Sequence, residues 1–234
     1  MPPKPKNTRE EIAAAAFTII KEEGLEALTA RELGRKLNSS AGSIFTLYPS
    51  MEEVKLAARG LALEEFRSFI SDYKEYSPPF KRIGQMIVTY GKREPELFKL
   101  LFMQEHQQPR DFTETMMDLD DVYQICTDLI QRDYGLAQEG ARFLFEQMWI
   151  LAFGLGTMCA LGVCTLEDDE IGRRLSVSFM SLYAFIKSGK LMEVYASAEK
   201  NPDGTFHGHL VGDLFNLLFD TEQKQNHPHT GKGV

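Results

Sequence analysis

The first third of the chain alternates short apolar stripes with polar groups that start and stop helices. Thr8-Arg9-Glu10-Glu11 carries a hydroxyl and a carboxylate three residues apart, the pattern of a capping box. Behind it Ile12, Ala16, Ile19 and Ile20 recur at helical spacing, and Gly24 ends the run. Thr29-Ala30-Arg31-Glu32 repeats the signal ahead of Leu33 and Leu37, and Asn38-Ser39-Ser40 reads as a turn. A very short helix is predicted from about Ser40 to Tyr48, closed by Pro49. Ser50-Met51-Glu52-Glu53 then opens a longer helix through Val54, Leu61 and Phe66 toward Tyr73. Two of these helices joined by a tight turn make a helix-turn-helix arrangement.

Ser77-Pro78-Pro79 breaks the chain, and everything beyond it reads as helix. The pattern predicts segments from Phe80 to Gly91, from Pro95 through Leu97, Leu101 and Phe102, from about Thr113 to Asp133, from Ala137 to Gly162 and from Leu166 to Ser188. Asn201-Pro202-Asp203-Gly204 is a turn, and Leu210, Leu214, Leu217 and Leu218 suggest a final amphipathic helix before a polar tail. No alternating strand pattern appears, so the expected class is all-α. From Gln147 to Leu166 no residue is charged, which raises a membrane span. Gly154, Gly156 and Gly162 interrupt it, and Glu146 and Glu167 flank it, so a buried core helix is the favoured reading.

Charge refines this picture. The chain has 234 residues and a net charge of −8, but residues 1–60 sum to +1 and the rest to −9. A near-neutral head on an acidic body permits DNA binding, since phosphates need positive charge only where the duplex lies. Three cysteines, Cys126, Cys159 and Cys164, form no disulfide framework and fit free thiols in a reducing cytoplasm. The start has basic residues but no apolar run behind them, so no signal peptide is expected.

Candidate chemistry concentrates around the short helix. Ile44 and Tyr48 are four residues apart and suited to face the core, which turns Ala41, Gly42, Ser43, Phe45 and Thr46 outward. Small residues allow close approach to a groove floor, and hydroxyls can meet phosphates or base edges. Ser39, Ser40 and Met51 flank this face, and Thr29 and Arg31 start the preceding helix where phosphate contact is natural. Lys4, Lys6 and Arg9 are candidates for a basic arm. Patterning alone leaves open whether this hairpin binds DNA or merely packs.

The stretch Ser40-Ala41-Gly42-Ser43-Ile44-Phe45-Thr46-Leu47-Tyr48-Pro49-Ser50-Met51-Glu52 resembles the DNA-binding domain of the TetR family of regulators, as does Gly24-Leu25-Glu26-Ala27-Leu28-Thr29 ahead of it. The likeness covers about the first 55 residues; the later helices agree only in number and order. It implies a three-helix helix-turn-helix domain (1–55), linked by a long helix to a helical ligand-binding and dimerisation domain (56–222), with a polar tail (223–234). It also implies a homodimer built from the last two long helices and an effector pocket in the body. Three departures stand out. Phe45 replaces the family's usual Tyr, Leu47 stands where His or Tyr is frequent, and Met51 replaces the usual Lys, so a hydroxyl and a cation near the phosphates are missing.

The middle of the chain is rich in Met and aromatic residues, which suit a core or a plastic apolar pocket. The residues expected to bind ligand are Phe98, Phe102, Met103, Met116, Tyr123, Phe143, Gln147 and Trp149, with Glu105, His106 or Gln147 as polar anchors. Ile171, Leu175, Phe179, Leu182 and Ile186 form a helical stripe that reads either as a dimer interface, with Gly154 and Gly156 allowing close approach, or as an intramolecular core stripe. No phosphate loop, zinc-protease motif or nucleophile elbow is present, so no enzyme activity and no cofactor are expected. His207-Gly208-His209 and His227-Pro228-His229 lack partners at ligand spacing, so no metal is expected. The expected function is a ligand-responsive transcriptional regulator, a repressor that binds a pseudo-palindromic double-stranded DNA operator as a homodimer. A small apolar or aromatic effector would release it. The alternatives are a helical interaction or ligand-carrier protein of the same fold with weak DNA binding, and a helical enzyme without a recognised motif.

Overall fold

The hydroxyl of Thr8 accepts a hydrogen bond from the Glu11 N–H at 3.2 Å, while the Glu11 carboxylate accepts one from the Thr8 N–H at 2.8 Å. This reciprocal pair starts α1 (Arg9–Glu23). The computed structural model describes residues 7–104 and 121–190, and the regular elements among them are all helical. Thr29 caps α2 (Ala30–Lys36) by accepting from the Glu32 N–H, but here the box stays open, because the Glu32 carboxylate turns to Arg35. Ser40 caps α3 (Ala41–Ile44) and Ser50 caps α4 (Met51–Ile70). The short helix predicted to reach Tyr48 stops at Ile44. The Leu47 and Tyr48 N–H groups both fall on the Ile44 carbonyl, each at 3.0 Å, which winds residues 45–48 into a tight turn.

Two glycines shape this head. Gly24 ends α1 at φ +90°, a conformation that side chains resist. Gly34 lies where α2 meets the turn into α3: a Cβ there would stand 2.9 Å from the Ser39 carbonyl oxygen, and the Ser39 N–H bonds back to Gly34 at 2.8 Å. With that turn closed, α1 packs on α2 and α4, α2 on α3, and Ile12, Ile19, Ile20, Leu33, Ile44 and Val54 are buried.

From the head, α4 runs into the body and ends in a 3₁₀ turn over Ser71–Glu75. The predicted break at Ser77-Pro78-Pro79 falls between that turn and α5 (Pro79–Arg93). Pro95 opens α6 (Pro95–Phe102) as expected. Then follow α7 (Asp121–Tyr134), α8 (Gln138–Ala160) and α9 (Asp168–Lys187). By length and composition alone α8 could cross a bilayer; its inner face, including Leu144, Phe145, Met148, Ala152 and Gly156, is buried against α5, α6 and α7. The chain divides into two units, residues 1–180 and 181–234. Of the second, the described residues are 181–190, with Leu182 and Ile186 half-buried. The predicted helix around Leu210, the polar tail, both His-x-His sequences, and Lys4, Lys6, Glu105, His106 and Met116 lie outside the described residues.

A three-membered ion cluster ties head to body. Lys21 of α1 reaches Glu65 of α4 at 2.8 Å and Glu94, just before α6, at 3.3 Å. Desolvation works against the Lys21 ammonium, and the hydrogen bonds and charges of the two carboxylates outweigh it, leaving its pKa raised. Arg59 adds a hydrogen bond to the Leu101 carbonyl at 3.3 Å.

In the body α5 and α8 meet backbone to backbone. A Cβ on Gly91 would lie 2.5 Å from the Gly156 carbonyl oxygen, and one on Gly156 would lie 2.9 Å from the Phe98 ring. Gly91→Ala is therefore expected to lower the melting temperature by several degrees, although alanine is the better helix former by about 1 kcal/mol. Forcing a methyl into such a seam costs about 1–3 kcal/mol. An unchanged or raised melting temperature would show that the seam is not tight.

Candidate DNA-facing head and apolar cavity

Around α3 the inward and outward faces divide as the spacing predicts. Ile44 and Tyr48 are buried. The Tyr48 hydroxyl donates to the Arg9 carbonyl at 3.1 Å, and the Arg9 guanidinium lies 4.1 Å above the Tyr48 ring. Ser40, Gly42, Phe45 and Thr46 are exposed, and Ser39, Ala41 and Ser43 are half-buried. Thr29 and Arg31 are exposed at the start of α2, and Met51 is half-buried at the start of α4.

The hydroxyls here are already engaged. Ser43 Oγ donates to the Ser40 carbonyl at 2.6 Å and lies 2.5 Å from Ser39 Oγ; Thr46 Oγ1 donates to the Ser43 carbonyl at 2.6 Å. They keep acceptor capacity but hold the turn together first. Phe45 is then the one large side chain that α3 and its turn turn outward, 45% exposed. A Cβ built on Gly42 meets only Ser40 Oγ, at 3.9 Å, so nothing inside the chain requires a glycine there.

Several cations of the head are neutralised within it. Lys36 pairs with Glu22 at 2.9 Å, Lys55 with Glu52 at 2.9 Å and Arg35 with Glu32. The hydrogen bond from Arg35 holds the Glu32 carboxyl below its usual range. Arg9 bonds to the Leu47 carbonyl and stands 3.8 Å from Glu53.

A cavity of about 300 Å³ opens between α5, α7, α8 and α9. Its walls are apolar: Phe80, Ile83 and Ile87 from α5, Phe145, Met148 and Trp149 from α8, and Leu175 and Phe179 from α9, with Cys126 and Tyr134 from α7. Burial pushes the Cys126 thiol well up, so it enters the wall as a neutral group. Lys81 and Ser176 are polar members of the lining.

The cavity has a different lining from the set of residues expected to bind ligand. Of the described members of that set, only Trp149 is on its wall. Phe98 is fully enclosed, with ring centroids 5.0 Å from Phe102 and 6.0 Å from Phe153, and Phe102 packs on Phe66 at 5.2 Å. Tyr123 packs edge-on against Phe145 at 5.1 Å, while Met103, Phe143 and Gln147 are half-buried away from the lining. Phe98, Phe102, Phe66 and Phe153 fill a core between α4, α6 and α8, and Tyr123 of α7 backs the cavity wall at Phe145. Part of the stripe offered as a dimer interface is covered within the chain, the second of its two readings. Ile171, Leu175 and Phe179 face inward, and Gly156 is buried beneath Phe98. Gly154 alone of the two glycines has open space at its Cβ position, on the α8 face that carries exposed Ile150 and Met158. Phe80, Ile83, Gly84 and Ile87 were the missed signal: a helical stripe with a glycine in it, whose Cβ position lies 3.5 Å from Leu175.

No family model matches the sequence, and no curated protein does. Among solved structures, a TetR-family protein from Vibrio parahaemolyticus is similar at 18% identity and a TM-score of 0.49, over 75% of this chain and 98% of that one. Thermus thermophilus FadR, a TetR-family transcriptional repressor solved in complex with lauroyl-CoA, is similar at 18% identity and a TM-score of 0.49, over 74% of this chain and 92% of that one.

The two head glycines give opposite predictions. Gly34→Ala drives a methyl onto the Ser39 carbonyl and should lower the melting temperature of the protein. Gly42→Ala meets open space and should leave it unchanged or slightly raised, by up to about 1 kcal/mol of helix propensity. Thermal unfolding of both variants followed by circular dichroism checks this, and equal losses would contradict the geometry of the turn.

Proposed function

We propose that this protein is a ligand-responsive DNA-binding regulator, a repressor that acts in the cytoplasm as a homodimer. The observation that carries the proposal is the outward face of α3. Ile44 and Tyr48 anchor the turn from within, while Gly42, Phe45 and Thr46 are exposed and a Cβ at Gly42 would meet only the Ser40 hydroxyl. That face coincides with the sequence stretch that resembles the TetR-family DNA-binding domain. In a dimer the two short helices would enter successive major grooves of a pseudo-palindromic operator. The internal pairing of head cations and the acidic body predict modest affinity with a shallow dependence on salt.

The interface we propose is the outer face of α8, where Ile150, Gly154, Met158 and Leu161 follow one another at helical spacing. The effector we propose is a small apolar or aromatic molecule held in the cavity among Phe80, Met148, Trp149 and Leu175. Its binding would favour a head spacing that no longer fits both half-sites, and it can shift that balance only through different affinity for the two arrangements. A ligand carrier with little DNA binding is the second reading, favoured by the neutralised head cations. Titration against random and genome-selected DNA at low and high salt separates the two. Sequence-selective binding supports the regulator, and failure to bind any duplex at low salt leaves the carrier.

Two predictions follow from the dimer and the cavity. Light scattering should give twice the 26.6 kDa chain mass for the natural protein. Ile150 is 47% exposed, so Ile150→Glu should leave the fold intact and return the mass to that of one chain. A natural protein that already runs as one chain removes the proposed interface. Trp149 is the single tryptophan and lies on the cavity wall, so an effector should change the intrinsic fluorescence in step with release from DNA. A compound that releases DNA without disturbing that signal binds elsewhere.

A further inference from the structure

The apolar cavity has a single charged residue on its lining, Lys81. It belongs to the first turn of α5, next to Phe80, whose ring meets Phe179 of α9 at 6.0 Å. Lys81 and Met180 are exposed, whereas Ile83, Ile87, Phe145 and Met148 are buried. The mouth of the cavity therefore lies at the end of α5 that carries Lys81, and its floor lies deeper along α5 and α8. Neighbouring Arg82 is held by Asp72 at 3.0 Å, but Lys81 forms no ion pair among the described residues. No Asp or Glu is on the lining to neutralise it. The start of α5 is also the positive end of its helix dipole, which adds to the field of the ammonium. The Ser176 hydroxyl in the wall donates to the Gly172 carbonyl at 2.6 Å, so toward the cavity it can only accept.

We propose that the cavity selects an apolar monocarboxylic acid, whose carboxylate pairs with Lys81 at the mouth while its body fills the interior. The proposal rests on the reading of this cavity as an effector site and names the chemical class of the effector. Each alternative head group fares worse for a physical reason. A charge carried down to the floor would lose its water with no partner to replace it, so a charged head stays at the mouth. An ammonium head held there faces the like charge of Lys81. An alcohol gains the apolar contacts and nothing from the cation. Size narrows the class further. A volume of about 300 Å³ is at the lower end of small-molecule sites, which run from about 300 to 1,000 Å³, and suits one ring on a short chain. The rings of Phe80, Phe145, Trp149 and Phe179 give such a body aromatic faces to pack on.

Phenylbutyrate, phenylbutanol and phenylbutylamine share one apolar body and differ in the charge of the head. Each is titrated into the full chain at neutral pH and followed by the fluorescence of Trp149 and by calorimetry. The acid should bind about three- to tenfold more tightly than the alcohol, the contribution of one exposed ion pair and one helix end, and the amine should bind most weakly. Lys81→Met keeps the apolar stem and should bring the acid down to the affinity of the alcohol while leaving the alcohol unchanged. Lys81→Glu should reverse the order and make the amine the tightest. Lys81 is exposed and in no ion pair among the described residues, so both variants should keep the natural melting temperature. An alcohol that binds the natural protein as tightly as the acid, or a preference for the acid that survives in Lys81→Met, overturns the proposal and leaves the cavity as a site for neutral ligands. If none of the three compounds changes the fluorescence or gives a heat of binding, the reading of the cavity as an effector site falls, and the proposal with it.

Discussion

Everything in the body follows from the place where α5 and α8 touch without side chains. At Gly91 and Gly156 there is no room for a methyl group on either strand of the contact, so the two helix backbones approach as closely as helices can. The Phe98 ring lies on Gly156 and fixes α6 to the same seam. The cavity residues precede the glycines in both helices, Phe80 to Ile87 in α5 and Phe145 to Ala152 in α8. Apart from Gly84 and Ala152 the side chains there are large, and Leu175 and Phe179 of α9 close the space between them. A pocket that arises beside a rigid seam is held open by the fold itself.

From that cavity a run of aromatic contacts leads to the join between body and head. Phe145 and Trp149 stand 6.1 Å apart on the wall, Trp149 meets Phe102 at 6.1 Å, Phe102 meets Phe66 at 5.2 Å, and Phe66 meets Tyr90 at 5.0 Å. The Tyr90 hydroxyl is buried with no hydrogen-bond partner among the described residues, and burial first, then the charges of Glu65 and Glu94, push its pKa up. Those carboxylates are the ones that hold Lys21 of α1. The rings from the cavity wall to Tyr90 therefore form one run of contacts that ends beside the carboxylates of the ion cluster. Contiguity of this kind is the physical requirement for coupling, which then depends on whether the run has two stable arrangements.

The helices were legible because capping chemistry is local. Thr8, Thr29, Ser40 and Ser50 each sit one residue before a helix and accept a backbone N–H from within its first turn. The division of α3 into Ile44 and Tyr48 against Gly42, Phe45 and Thr46 was legible for the same reason. The cavity was not. A stripe such as Ile171, Leu175 and Phe179 states that a face is covered, and its spacing is identical whether the cover is another chain, another helix or a ligand. Aromatic and methionine content is ambiguous in the same way, since residues such as Phe98, Phe102 and Tyr123 satisfy a packed core as well as a pocket. The choice depends on which helices the topology places side by side, and only three-dimensional contacts such as Gly91 on Gly156 carry that information.

The proposed DNA-facing role of the head poses a sharper physical question, because most of its cations among the described residues are paired within it. Lys36, Lys55 and Arg35 already face carboxylates of the same domain, and such exposed pairs are weak because water screens them. A duplex phosphate can therefore exchange for the carboxylate at small cost, but the released carboxylate then repels the same duplex. Long-range attraction is weak by this arrangement, whatever the local fit. The Ser43 and Thr46 hydroxyls are committed to the turn as donors. What α3 offers a groove is a flat approach at Gly42 and the apolar ring of Phe45. A head built so would discriminate by shape and by contact with thymine methyl groups more than by charge, because those are the interactions its exposed atoms are able to make.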